Sequence, residues 1–213
     1  KGDSRMSENQ TAETMTPPPP APAVQPRHSL APTSAPPAME LGARGIQLQT
    51  FEDLWRFSCA VAKSGLAPKG IETPEAILIA VEHGLEVGLS PMQALHSIAI
   101  INGRPCLWGD GFKAVIEASP LCEYVKEWWD GEGEKLTAWC ETKRRDRAEA
   151  TRYAFSLNDA KRAKLAEKPG PWQQYTARML QMRARGFCLR DAYADVLRGI
   201  QLAEEQQDVV RVE

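Results

Sequence analysis

The 213-residue chain sets 26 Lys and Arg against 28 Asp and Glu, a formal net charge of −2, and 16 of its residues are proline. No apolar run approaches the ~18 residues that cross a bilayer, which excludes a helical membrane span. The five cysteines are odd in number and form no CxxC pair, so reduced thiols in a cytoplasmic protein fit better than a disulfide framework or a zinc site.

The proline is concentrated at the front. "TPPPPAPAVQP" and "APTSAPPA" lie within residues 1–45, where bulky apolar side chains are almost missing. Such a segment buries too little surface to offset the entropy of ordering its backbone, so a disordered, partly polyproline tail is expected there. "KGDSRM" reads as a vector remnant or readthrough and carries no fold information. Residues 46–207 hold about one domain's worth of core, and 208–213 read as a short tail.

Taken in chain order, "QTFEDLWRFSCAVAKSG" predicts an amphipathic helix with Thr50 as N-cap and Asp53 three positions on. "TPEAILIAVEHGLEVG" predicts a second helix, with Thr73 as cap, Pro74 at the first helical position and Gly88 past the end. Ser90 and Pro91 begin a short third. The β-branched run Ile98–Ile101 and the "NG" at Asn102–Gly103 predict a hairpin returning through Arg104 to Trp108. Asp110 is then placed as cap of a helix through "GFKAVIEAS". "CEYVKEWW" and "KLTAWCETK" read as strands around "DGEGE", and "ATRYAFSL" as a third after the basic turn "RRDR". Ser156 with Asp159 makes a capping box for "NDAKRAKLAE", which "KPGPW" ends. The remaining "QQYTARMLQMRARGFCLRDAYADVLRGIQLAEEQQ" reads as a long helical segment divided near Tyr193–Asp195. Helices, then a run of antiparallel strands, then helices, indicate an α+β fold: a small antiparallel β-sheet of hairpins packed against helices.

The modest net charge conceals an asymmetry along the chain. Between Lys143 and Arg190 thirteen Lys and Arg face four acids, a net +9. A polyanion partner is the natural expectation for charge segregated in this way. On the long helix Arg178 and Arg185 share one ridge, two turns or roughly 10 Å apart. Arg183 and Arg190 repeat that spacing about 140° round the helix. No acid intervenes between Trp172 and Arg190, so the four guanidiniums read as unpaired and suited to a track of backbone phosphates. Reversing Arg183 and Arg185 to Glu is then expected to abolish strand binding with the fold intact. Trp128 and Trp129 fall on opposite faces of their strand, so at least one is expected in the core.

No phosphate-binding loop is present: "WGDG" and "DGEGEK" match neither the P-loop nor the dinucleotide pattern. Asp110, Glu117, Asp191 and Asp195 are the carboxylates a metal-dependent nuclease would need to converge. No Ser/His/Asp or Cys/His arrangement stands out. An adaptor that uses its Pro-rich arm to enter a partner's groove is a third reading.

The segments "GLSPMQALHSIAIINGRPCLWGDGFKAVIEAS" and "WQQYTARMLQMRARGFCLRDAYADVLRGIQLAEE" resemble the RecT/Redβ-type phage single-strand annealing recombinases. Within them, "GL-x-P-M", "INGRP-x-LWGD", "W-x-x-Y-x-x-R-M-L-x-x-R-A-R" and "LRDA-x-x-DVL-x-G" follow the family's order. The resemblance implies a twisted antiparallel sheet on helices, and subunits side by side in rings or helical filaments. It implies that single-stranded DNA lies in a basic groove with its bases exposed, and that annealed duplex is the product. ATP-independent annealing of complementary strands in homologous recombination is the implied activity, in the cytoplasm of a bacterial host. A phage exonuclease and a host single-stranded-DNA-binding protein are the implied protein partners. No catalytic residue and no resident cofactor or metal is expected; magnesium, if used, arrives with the DNA. The expected DNA contacts are Arg104, Lys113, Lys143, Arg144, Arg145, Arg147, Arg152 and Lys161, together with Arg178, Arg183, Arg185 and Arg190. Trp108, Trp139, Trp172 and Tyr175 are the candidates for base stacking.

Overall fold

The computed structural model describes residues 41–42 and 45–209. Most of the Pro-rich segment therefore lies outside the described residues. Two strands are nevertheless found within and beside it, β1 (Leu41–Gly42) and β2 (Gly45–Ile46), paired antiparallel.

The first three helices begin where local chemistry places them. Thr50 Oγ1 accepts from the Asp53 amide at 3.1 Å ahead of α1 (Phe51–Ser64). Thr73 Oγ1 accepts from the Ala76 amide at 3.2 Å ahead of α2 (Pro74–Glu86). At α3 (Pro91–Ser97), Gln93 Oε1 reaches back to the Ser90 amide at 3.0 Å. Each of these bonds satisfies an amide that the first helical turn leaves without an intrahelical partner. α2 and α3 approach closely at Gly84, where an added Cβ would lie 2.1 Å from Ala94 Cβ.

The hairpin is as the sequence predicts. β3 (Ile98–Ile101) pairs antiparallel with β4 (Arg104–Leu107), Ile101 opposite Arg104. Asn102 and Gly103 both take positive φ, 54° and 72°, as a type I′ turn requires. A short strand, β8 (Gln201–Leu202), adds to β4 in parallel. No periodic pattern announces that two-residue strand.

Helix α4 (Gly109–Ala118) corrects one expectation. Its N-cap is Trp108, which offers no side-chain cap, and Asp110 sits in the first turn. Glu204 caps the helix from a distance, with both carboxylate oxygens 3.1 Å from the Gly109 amide. Asp110 is thereby released to pair with Arg178 and Arg185.

The second sheet has the order β5-β6-β7, from β5 (Cys122–Asp130), β6 (Thr137–Arg144) and β7 (Thr151–Ser156), all antiparallel. Ser156 and Asp159 form the expected capping box, but α5 (Leu157–Arg162) is shorter than its sequence pattern and ends before Lys164, whose φ is +55°. The long segment resolves into α6 (Pro171–Gln174), α7 (Thr176–Ala192), α8 (Ala194–Leu197), β8 and α9 (Ala203–Asp208). The break falls at Tyr193, which is fully buried and donates from its hydroxyl to the Lys143 carbonyl at 3.2 Å.

The fold is α+β, with small sheets packed on helices. Helix α7 lies along one face of β5-β6-β7. Leu180, Ala184 and Cys188 fall on the sheet side of the helix and Leu189 on the opposite side, and all are buried, as are Ala138 and Cys140 of β6. Full burial of each leucine contributes about 1.5–3 kcal/mol. Asp208, assigned by sequence to a C-terminal tail, belongs to this folded unit. It accepts from Trp172 Nε1 at 3.0 Å and pairs with Arg183 at 2.6 Å.

Candidate nucleic-acid interface

The geometry of the basic segment corrects the reading of α7. Arg178 pairs with Asp110 at 2.7 Å, Arg183 with Asp208 at 2.6 Å and Arg190 with Glu205 at 2.7 Å. Arg185 is 2% exposed and grips Glu127 through two hydrogen bonds of 2.7 and 2.8 Å, while its Nη1 reaches the Gly109 carbonyl and Asp110. The four guanidiniums are not unpaired, and they point to different elements. Their counter-charges come from α4, β5 and α9. Charge that is segregated along the chain is neutralised once these distant elements meet.

The electrostatics follow from those pairs. Burial pushes Glu127 up, but the Arg185 hydrogen bonds and the nearby Lys113 outweigh it and hold the carboxyl below its ordinary value. Burial works against the Arg185 charge, and Glu127 and Asp110 overcome it. The Arg178 hydrogen bond depresses Asp110. Glu204 is raised by burial, with the Gly109 amide and the arginines only partly compensating. This network joins α4, β5, α7 and α9 and is structural.

Other residues expected on the DNA are engaged as well. Arg144 is buried between Asp146 and Asp195 and donates to the Ala192 carbonyl at 2.9 Å. It clamps the end of β6 to the α7–α8 corner rather than facing a strand. Lys113 lies 3.3 Å from Glu127, Lys143 3.1 Å from Glu123 and Lys161 2.6 Å from Glu134. Trp172 is 3% exposed with its indole N–H held by Asp208, so it is a core residue and offers no ring face to a base. The carboxylates weighed for a nuclease do not converge: Asp110 and Asp195 each face an arginine, and Glu117 faces Lys113. Among the described residues no group of three or more His, Cys, Asp and Glu is placed to hold a metal.

The other face of β5-β6-β7 carries half-buried aromatic rings and an exposed arginine, Arg152. The pleat puts Tyr124, Lys126 and Trp128 of β5 on the side away from α7, opposite Lys143, Glu141 and Trp139 of β6, with Arg152 beyond on β7. Trp128 and Trp139 are cross-strand partners whose rings lie parallel within 2°, centroids 5.9 Å apart. The Arg152 guanidinium sits 5.6 Å from the Trp128 ring centre, and Lys126 Nζ 4.5 Å from that of Tyr124. Glu141 ties the surface together by accepting from Tyr124 Oη at 2.9 Å and from Arg152 Nε at 2.7 Å. The Arg152 and Tyr124 hydrogen bonds hold the Glu141 carboxyl below its usual range.

Trp139, Arg152 and Lys143 thus share one sheet face, and Arg145 and Arg147 stand exposed in the adjoining β6–β7 turn. Tyr124, Lys126 and Trp128 were missed, although strand alternation from Trp139 through the β5–β6 pairing would have found them. Trp129 falls on the opposite face to Trp128, as alternation requires, but neither enters the core: Trp128 is half-buried, and Trp129 is exposed and donates its indole N–H to the Ala177 carbonyl at 3.1 Å. Trp108 and Tyr175 are exposed but stand apart from this surface in sequence, at the starts of α4 and α7. Arg104 is exposed at the start of β4.

No family model matches the chain, and no curated protein matches it. No helix among the described residues is long and apolar enough to cross a membrane.

Proposed function

We propose that this protein binds single-stranded DNA and anneals complementary strands without ATP, in the manner of the RecT/Redβ-type recombinases that its two long motif segments resemble. The observation that carries the reading is the parallel Trp128–Trp139 pair, with Arg152 over Trp128, on a sheet face away from α7. Aromatic platforms stack bases without regard to sequence, at about 1–3 kcal/mol per base. Arg145 and Arg147, in the turn that follows β6, face no carboxylate among the described residues and suit the phosphates of the same strand, where neutralisation releases counterions; Arg152 and Lys143 would exchange Glu141 and Glu123 for phosphate. A strand held by its backbone and by sequence-tolerant stacking can test registers against a second strand, and Watson–Crick pairing then selects the match. Nothing in that cycle consumes a nucleotide. Side-by-side assembly into a ring or filament, as the resemblance implies, would extend the platform along a longer strand.

The test is annealing of two dye-labelled complementary oligonucleotides by the wild-type chain without ATP, followed by energy transfer. Acceleration by wild type that disappears in Trp128→Ala/Trp139→Ala is the expected result. Shortening of a labelled strand in the presence of magnesium or manganese would instead make the protein a nuclease. An unaccelerated rate with full-length strands would overturn the proposal.

A further inference from the structure

Most arginines with described side chains face a carboxylate; Arg104, Arg145, Arg147 and Arg198 have none among the described residues. Arg145 and Arg147 share a turn that projects into solvent. Arg104 and Arg198 come from parts of the chain almost a hundred residues apart, yet both line one concave depression of about 220 Å³. Its walls include His83 and Glu86 of α2, Pro105 of β4 and Leu197 of α8. The parallel pairing of β8 with β4 creates this proximity, because it returns the chain from α8 directly alongside Arg104.

Arg198 carries a second mark. It ends α8 in the left-handed conformation, φ 49°, with its amide bonded to the Ala194 carbonyl at 3.0 Å. A long side chain at positive φ is disfavoured, and glycine is the usual choice there. Here Arg stands at the strained position with Gly199 after it, and no acid among the described residues offsets the cost. Strain held at one residue is characteristic of ligand clamps. The acid of the lining, Glu86, faces His83 Nδ1 at 3.5 Å and pairs with neither arginine.

We infer that the depression between α2, β4 and the end of α8 is a binding site for a single phosphate group, held by Arg104 and Arg198. Guanidiniums meet phosphate oxygens through paired N–H donors, and two arginines lining one hollow suit a terminal phosphate better than a point on a continuous backbone. The pocket stands on its own geometry; that the phosphate belongs to the end of a DNA strand rests on the proposed function.

The probes are inorganic phosphate, and a 5′-phosphorylated oligonucleotide beside its 5′-hydroxyl counterpart, titrated into the full chain. The variant is Arg104→Gln/Arg198→Gly, in which glycine relaxes the left-handed backbone, so a melting temperature no lower than wild type separates a binding defect from a folding defect. Phosphate affinity at least about tenfold weaker in the variant upholds the site; equal affinity, or none in wild type, overturns it. A wild-type preference for the 5′-phosphorylated strand that vanishes in the variant identifies the strand end as the source. Phosphate binding without such a preference identifies a free phosphate compound instead. Strand binding abolished only in Trp128→Ala/Trp139→Ala would leave this pocket standing, and phosphate binding with no strand binding would remove the annealing proposal while keeping the site.

Discussion

Arg185 and Glu127 face each other as a planar fork, Nε to Oε1 at 2.7 Å and Nη2 to Oε2 at 2.8 Å, with 2% and 6% of their side chains exposed. A charge pair so deeply enclosed has given up its hydration, and its partners alone neutralise it. Asp110, Lys113 and the Gly109 carbonyl complete the set. Arg185 therefore joins β5 to α7 and to the start of α4, which makes it a fold residue in the middle of what reads as a DNA-binding helix.

Removing one member of such a buried pair leaves the other charge without a partner. Arg185→Met is expected to destabilise the protein by about 3–5 kcal/mol, and Arg185→Glu to prevent folding by crowding carboxylates. Urea unfolding measures the first and solubility with circular dichroism the second. A midpoint within error of wild type for Arg185→Met would refute the role assigned here, and it would restore the expectation that reversing this arginine leaves the fold intact.

Salt dependence distinguishes free from engaged cations. Each phosphate left without its protein cation lowers the slope of log affinity against log salt by about 0.7 for a single strand. Arg145→Ala and Arg147→Ala are expected to reduce the slope by roughly that amount each, with stability unchanged. Arg183→Ala, which leaves the buried Asp208 carboxylate with only Lys168 and the Trp172 indole N–H, is expected to lower stability instead. A slope that responds to Arg183 and not to the turn arginines would return the DNA to α7.

Close approach of α2 and α3 rests on a missing side chain. At Gly84 an added Cβ would meet Ala94 Cβ at 2.1 Å and its Cα at 3.0 Å, and backbone cannot move aside as a flexible side chain would. Gly84→Ala should cost about 1–3 kcal/mol through overpacking, read as a lower melting temperature. An equal or higher one would mean that the two helices slide apart freely.

Acid should weaken the protein through its paired carboxylates, those around Arg185 foremost because Glu127 is the most enclosed of them. Asp110 and Glu127 have carboxyls held below their ordinary values of 3.8 and 4.5, as does Glu141 on the sheet face away from α7. A depressed carboxyl adds stability that is complete above the unfolded value and disappears as pH falls through the folded one. Glu204 runs the other way: its raised value favours folding at low pH and opposes it as pH climbs past that value. The expected sum is a stability that declines below about pH 4.5, with a smaller decline in Glu127→Gln/Arg185→Met, where the main pair is absent. Melting curves from pH 3 to 7 on the two proteins supply the comparison, and parallel profiles would refute the assignment.

Local order was legible from the residues because its causes are local. Thr50, Thr73, Ser90 and Ser156 start helices where their hydroxyls or neighbours meet unpaired amides, and Asn102–Gly103 turns the hairpin because such residues accept two consecutive positive φ values. The α+β class and the break at Tyr193 follow from period and punctuation in the same way. Tertiary structure alone decided which charges are free. Asp110, Glu127, Glu205 and Asp208 stand 15 to 75 residues from the arginines they neutralise, so a local count of +9 was no guide to the surface. It also decided that Trp128 and Trp139 lie in parallel, that Trp172 is enclosed, and that a two-residue strand brings Arg198 beside Arg104. Coulomb attraction and burial act through space, and separation along the chain does not limit them once the elements have packed.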